Sequence, residues 1–126
     1  MVAGREWRVV LMGEETILER SPIDDPRLAE AVRTLVEAYH PVRIYLFGSR
    51  ARGDAAPDSD YDLLLVVPDD AAPELTRSRL AYERLWDTGT AADVLVVTRG
   101  FFESRSHLVA SLPATVLREG KLLHAA

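Results

Sequence analysis

Residues Val42–Val67, VRIYLFGSRARGDAAPDSDYDLLLVV, decide how this chain folds. An aliphatic run ends at Phe47-Gly48-Ser49, a polar stretch follows, and Asp60-Tyr61-Asp62 opens a second, unbroken aliphatic run. Short apolar runs separated by glycine, proline and aspartate read as strand, turn, loop and strand. Alternate side chains of a strand share a face, so Asp60 and Asp62 point one way and Tyr61 the other. Their Cα atoms lie about 6.5–7 Å apart at a rise of about 3.3 Å per residue. Two carboxylates that near, at the mouth of a buried strand, repel each other. A divalent cation removes the repulsion, and oxygen-only ligation suits magnesium or manganese.

Outward from this stretch, toward the N-terminus, His40-Pro41 closes a helix whose apolar positions Leu28, Ala31, Val32, Leu35, Val36 and Tyr39 form one stripe. Asp25-Pro26 starts it, with a capping carboxylate and proline at the first helical position. Earlier still, Trp7–Met12 and Thr16–Glu19 flank Gly13-Glu14-Glu15 and predict a β-hairpin, joined through a turn-rich Ser21–Asp25 connector. Toward the C-terminus, a helix is expected over Glu74–Trp86 and a third strand over Val94–Val97, with Asp93 at its start. A helical stretch within Ser104–Ala110, a short helix over Leu112–Glu119 and an extended Lys121–His124 complete the chain. The order predicts an α/β (α+β) domain with a small mixed β-sheet flanked by helices. Residues 1–24 are expected to be an N-terminal extension, and residues 25–126 the main domain.

With 126 residues, 48% of them hydrophobic, the chain has material for one core. A net charge of -5 argues against a general nucleic-acid-binding face, though a metal site can reverse the local sign for a nucleotide. The absence of cysteine excludes disulfides, thiol nucleophiles and cysteine-ligated zinc together. Charged residues interrupt every apolar run near Met1, and no aliphatic run approaches a membrane span, so a soluble cytoplasmic protein is expected. His40, His107 and His124 are dispersed and read as structural or exposed. Trp86 and Phe101-Phe102 read as core or interface rather than as base-stacking platforms.

Gly48-Ser49 alone is an ordinary strand-ending turn, and it lacks the Gly-Lys-Ser/Thr of a Walker A loop. Glycine nevertheless lets backbone N–H groups approach a ligand, serine donates to a phosphate oxygen, and a helical turn starting there adds an anion site. Asp60 and Asp62 alone could be loop caps or surface charges. Asp93 raises the signal, since neighbouring strands lie about 4.8 Å apart and three carboxylates can converge on a metal pair.

Phe47-Gly48-Ser49, ten intervening residues, Asp60-Tyr61-Asp62 and then Asp93 resemble the nucleotidyltransferase superfamily that includes DNA polymerase beta, and its minimal nucleotidyltransferase (MNT) family above all. The resemblance runs from about Asp25 to the C-terminus, including Arg118-Glu119-Gly120-Lys121-Leu122-Leu123-His124, and leaves the first two dozen residues outside. It implies the nucleotidyltransferase fold and an ATP-using, Mg2+-dependent enzyme. Asp60 and Asp62 would bridge two Mg2+ ions (Mn2+ being possible), with Asp93 on the metal facing the nucleophile and serving as proton acceptor. Gly48 and Ser49 would grip the β- and γ-phosphates. Arg50 and Arg52 are candidates for neutralising triphosphate charge, with solvent exposure the equal alternative for each. MNT proteins of this size typically pair with a helical HEPN protein in toxin–antitoxin systems and transfer AMP to its tyrosine. The resemblance thus implies a HEPN-like partner in a hetero-oligomer, with no membrane and no direct nucleic-acid partner. Transfer to a small hydroxylated molecule such as an aminoglycoside, and a non-catalytic subunit that blocks its partner sterically, are the alternatives.

Overall fold

The computed structural model describes residues 7–12, 15–20 and 25–126. Strands β1 (Trp7–Met12) and β2 (Glu15–Arg20) pair antiparallel, with Trp7 opposite Arg20 and Met12 opposite Glu15. This is the hairpin expected from the sequence. Its Gly13-Glu14 link, the connector at 21–24 and the expected division before Asp25 lie outside the described residues.

Helix α1 (Pro26–Tyr39) starts as its residues dictate. The Asp25 carboxylate accepts the Arg27 N–H at 2.9 Å, and Pro26 occupies the first turn, where a missing N–H costs nothing. Leu28, Ala31, Val32, Leu35 and Tyr39 are buried. The helix ends at His40 in the left-handed region (φ 47°), its N–H donating to the Val36 carbonyl before Pro41.

Strand β3 (Arg43–Phe47) leads directly into a short helix α2 (Gly48–Arg52), and β4 (Tyr61–Val67) returns antiparallel to β3. After a 3-10 turn at Pro73–Thr76 and helix α3 (Arg79–Trp86), strand β5 (Ala92–Thr98) lies parallel to β4. Helices α4 (Arg99–Arg105) and α5 (Leu112–Glu119) follow, and β6 (Lys121–Ala125) pairs antiparallel with β3. The mixed sheet has the order β5-β4-β3-β6. Strand β4 is covered on both sides. Leu63, Leu65 and Val67 pack with α1 and α3, whereas Leu64 and Val66 pack with Tyr45, Phe102 and Val116. A strand buried on two faces shows no polar alternation, which is why its sequence is an unbroken aliphatic run.

Two helix boundaries differ from expectation. The helix expected over Glu74–Trp86 is interrupted at Arg77, which is extended (φ -123°, ψ 155°). The cause is Tyr39: its hydroxyl donates to the Arg77 carbonyl at 2.6 Å and accepts from the Ala81 N–H at 2.9 Å. In a continuous helix those two backbone groups would bond each other. The buried phenol stands between them and splits the helix. Tyr39→Phe should therefore leave both groups without their bridge and cost about 1–3 kcal/mol. Urea denaturation should show a lower midpoint with an unchanged slope, and an unaltered midpoint would remove this account of the break.

The helical stretch expected within Ser104–Ala110 instead lies at Arg99–Arg105. The Thr98 side chain caps it by accepting the Phe101 N–H, so Gly100 sits inside the first turn rather than breaking the chain. Phe102 is buried and stacks on Tyr45 with ring centroids 5.5 Å apart, whereas Phe101 is exposed with the Arg105 guanidinium over its ring. No helix among the described residues is long and apolar enough to cross a membrane.

Candidate active site

At the end of β3 the chain turns into α2 through Gly48, whose φ is 72°. Residues other than glycine rarely adopt that conformation. The residue before it, Phe47, is the register partner of Asp62. A Cβ at Gly48 would run into Asp62 Oδ2 and lie 3.1 Å from its Cγ. The Asp62 carboxylate therefore rests directly on the glycine backbone, and only glycine satisfies both the turn and the approach.

Asp62 is in register with Asp93 on the parallel strand β5, so their side chains stand on one face of the sheet, one strand spacing apart. Asp60 precedes β4 by a single residue. Burial pushes the Asp62 carboxyl above its ordinary value, and the charges of Asp93 and then Asp60 push it further, while Arg52 opposes them. The three acids thus share one electrostatic neighbourhood. As the side chains stand, no three carboxylate or imidazole groups among the described residues close around a single ion. The acids are near enough to repel but are not drawn into a cage. The donor set still fits a hard divalent cation: it is all oxygen, it stands on adjacent strands, and it carries a repulsion that such an ion would relieve.

The sequence candidates beside the acids fall into different surroundings. Ser49 lies in the first turn of α2, and its carbonyl accepts from the N–H groups of Gly53 and Asp54. Arg52 is exposed, bridges to Asp54 at 3.2 Å, and is the cation that acts on Asp62. Arg50 is bound to the loop instead. Its guanidinium donates to the carbonyls of Pro57 (3.0 Å) and Ser59 (2.7 and 3.1 Å) and lies 4.7 Å from the Tyr61 ring centroid. As placed, it holds the segment that delivers Asp60.

Sequence reasoning did not find the strut behind the acids. On the face opposite Asp62, the Tyr61 hydroxyl donates to the second oxygen of Asp25, joining the start of β4 to the start of α1. This bond, above all, holds the Asp25 carboxyl below its usual range, and burial pushes the Tyr61 phenol up to about 12. The capping role of Asp25 was legible from Asp-Pro. Its second partner, 36 residues away, was not. A carboxyl with a lowered folded-state pKa contributes stability that is present above its ordinary value of 3.8 and is lost as pH falls through the lowered value. Asp25→Ala should cost about 0.5–2 kcal/mol at pH 7. Thermal melts should show that gap closing in acid below the ordinary value; a gap constant with pH would contradict the assignment.

The family model of the nucleotidyltransferase domain matches residues 26–123. The chain belongs to the nucleotidyltransferase domain family. The match to this nucleotidyltransferase domain begins with the first residue of α1 and ends within β6, so it takes in β3, β4, β5 and all three acids. Among solved structures, the chain is similar to a Sulfolobus solfataricus protein classed as a nucleotidyltransferase, at 21% identity over 76% of this chain and 75% of that one, with a TM-score of 0.48. It is also similar to a toxin–antitoxin crystal structure with AMP-PNP, at 27% identity over 77% of this chain and 73% of that one, with a TM-score of 0.44. No curated protein matches the chain.

Proposed function

We propose that this nucleotidyltransferase transfers AMP from ATP to a hydroxyl, that the acceptor is a tyrosine of a HEPN-like toxin, and that the chain thereby acts as an antitoxin. The observation that carries the chemistry is the position of Asp62, in register with Asp93 and resting on the Gly48 turn. That position sets a carboxylate pair beside a glycine turn. The N–H groups of the turn and the Ser49 hydroxyl hold the terminal phosphates. Asp60, Asp62 and Asp93 would hold Mg2+, which when bound would supply charge neutralisation of the triphosphate and acidification of the attacking hydroxyl. Asp93 is exposed on an edge strand of the sheet and accepts the proton that the hydroxyl loses. Arg50 fixes the loop carrying Asp60, and Arg52 balances charge beside Asp62. The toxin partner and its tyrosine rest on the likeness of Gly48-Ser49, Asp60, Asp62 and Asp93 to the minimal nucleotidyltransferases.

The test is incubation of the protein with α-labelled ATP, Mg2+ and the product of the neighbouring gene as the candidate partner. The wild type should label the partner, and Asp60→Ala with Asp62→Ala should abolish both labelling and neutralisation. Neutralisation that survives the double change would replace this reading with steric blocking. Label on an aminoglycoside but not on the partner would replace the acceptor.

A further inference from the structure

A cavity of about 620 Å³ lies under α3, on the face of the sheet where Leu63, Leu65 and Val67 pack, opposite Asp62 and Asp93. Tyr82, Leu85 and Trp86 of α3 and residues 89–92, which lead into β5, form its walls. Asp60 is the one charged residue of its lining, and neither Asp62 nor Asp93 reaches it. Tyr82 and Trp86 are four apart, one helical turn, and so share one side of α3. The Tyr82 hydroxyl accepts the Val94 N–H at 3.1 Å, which fixes its ring. Trp86 is 86% exposed, more than any other large apolar side chain among the described residues.

Two other aromatic rings of this fold show what covers such faces. The Arg50 guanidinium lies 4.7 Å from the Tyr61 ring centroid, and that of Arg105 lies 4.0 Å from the ring centroid of the exposed Phe101. Among the described residues, no guanidinium stands over Tyr82 or Trp86.

We infer that this cavity binds a small organic cation, a guanidinium or ammonium group on a short apolar stem. The charge rests on Asp60, and the stem lies against Tyr82 and Trp86. Such binding needs neither nucleotide nor metal, and it stands whether or not the chain transfers AMP. The lining decides the sign of the ligand. Aromatic faces attract a cation, the more so where water is partly excluded. Leu85, Ala91 and Ala92 offer apolar surface to the stem. The Asp60 charge helps to push the Asp62 carboxyl up, so a positive group on Asp60 relieves a repulsion already present. An anion would meet Asp60 with no positive residue in the wall to offset it. Beyond residues 89–91, a second cavity of about 300 Å³ holds Arg27 and Arg50, but Asp25 and Asp58 line it too and balance their charge. Arg50 is moreover bound to the carbonyls of Pro57 and Ser59. The larger cavity is of the size of small-molecule sites, about 300–1,000 Å³. Because Asp60 also belongs to the acid group, an organic cation here and Mg2+ among the acids should weaken each other by the same factor.

The experiment titrates the isotope-labelled, metal-free protein with N-butylguanidinium, with N-butylurea, its neutral counterpart of like shape, and with adenosine. N-butylguanidinium should shift the Trp86 indole N–H and the Ala91 and Ala92 amides. N-butylurea should bind at least about tenfold more weakly, since it carries no charge for Asp60. Trp86→Ala removes a side chain that lies mostly in solvent, so the variant should fold as the wild type does, and it should weaken the guanidinium at least about fivefold. Asp60→Asn should weaken it at least about tenfold. Urea that binds as well as the guanidinium would make the cavity merely apolar and overturn the inference. So would a guanidinium that leaves Trp86 unshifted, full affinity in either variant, or adenosine that shifts the indole at the lower concentration. In a protein whose Asp62 amide shows that Mg2+ is bound, a guanidinium affinity unchanged by the metal would overturn the sharing of Asp60.

Discussion

Gly48→Ala is expected to reduce nucleotidyl transfer by at least about 100-fold in a protein that still folds. Two effects act together. A non-glycine residue at φ 72° costs about 1–2 kcal/mol, which a domain of this size can bear. The new methyl would also occupy the space of the Asp62 carboxylate, whose Cγ and Cβ lie 3.1 and 3.4 Å from the built Cβ position. Either the turn or the carboxylate must move, and a displacement of about 1 Å at a reacting centre costs about 100-fold. Gly53→Ala separates the two effects. Gly53 has φ 86°, yet nothing lies within 4 Å of its built Cβ. It should lose similar stability and keep most of the activity. Thermal melts and turnover measured on both variants decide the matter. Equal activity losses would trace the defect to backbone strain, and an active Gly48→Ala protein would show that Asp62 does not work from its place on the turn.

The contrast between these glycines also marks where sequence reading stopped. Gly48 was legible as a turn because it ends an aliphatic run, and Asp60, Asp62 and Asp93 stood out because each precedes or begins a strand. Strand identity, the mixed sheet and the Asp25 cap followed from local patterns with known periods. Which carboxylate touches the glycine depends on the β3/β4 register, and that is fixed by the loop from Arg52 to Asp60 and by its Arg50 anchors. The split of the Glu74–Trp86 helix was invisible for a similar reason. Its own residues favour helix, and the phenol that interrupts it comes from Tyr39, far back in the chain. Trp86 was expected in a core or an interface, and the structure removes the core alternative by leaving it exposed. Short-range pattern predicts elements well, while the contacts that aim side chains at one another are long-range and leave little local trace.

Asp62→Asn should lose activity by about 100–1,000-fold or more and yet stabilise the metal-free protein. The amide keeps the shape of the carboxylate, so packing against Gly48 is preserved while the charge between Asp60 and Asp93 disappears. Burial and both neighbouring acids hold the Asp62 carboxyl above its ordinary value of 3.8. The folded state therefore binds the proton more tightly than the unfolded one. The ionised carboxylate weakens the fold progressively as pH rises through that raised value, and the penalty is absent below 3.8. At pH 7 with a chelator present, the variant should melt above the wild type, because it lacks the penalty of the ionised carboxylate. In acid below the ordinary value the two should melt together. Adding Mg2+ and ATP should reverse the order, because ligand that binds the folded wild type raises its stability by mass action and the variant has lost the charge that holds the ion. A metal-free variant less stable than the wild type would mean that the Asp62 charge serves the fold rather than the ion. The repulsion among the three acids would then no longer argue for a cation at this site.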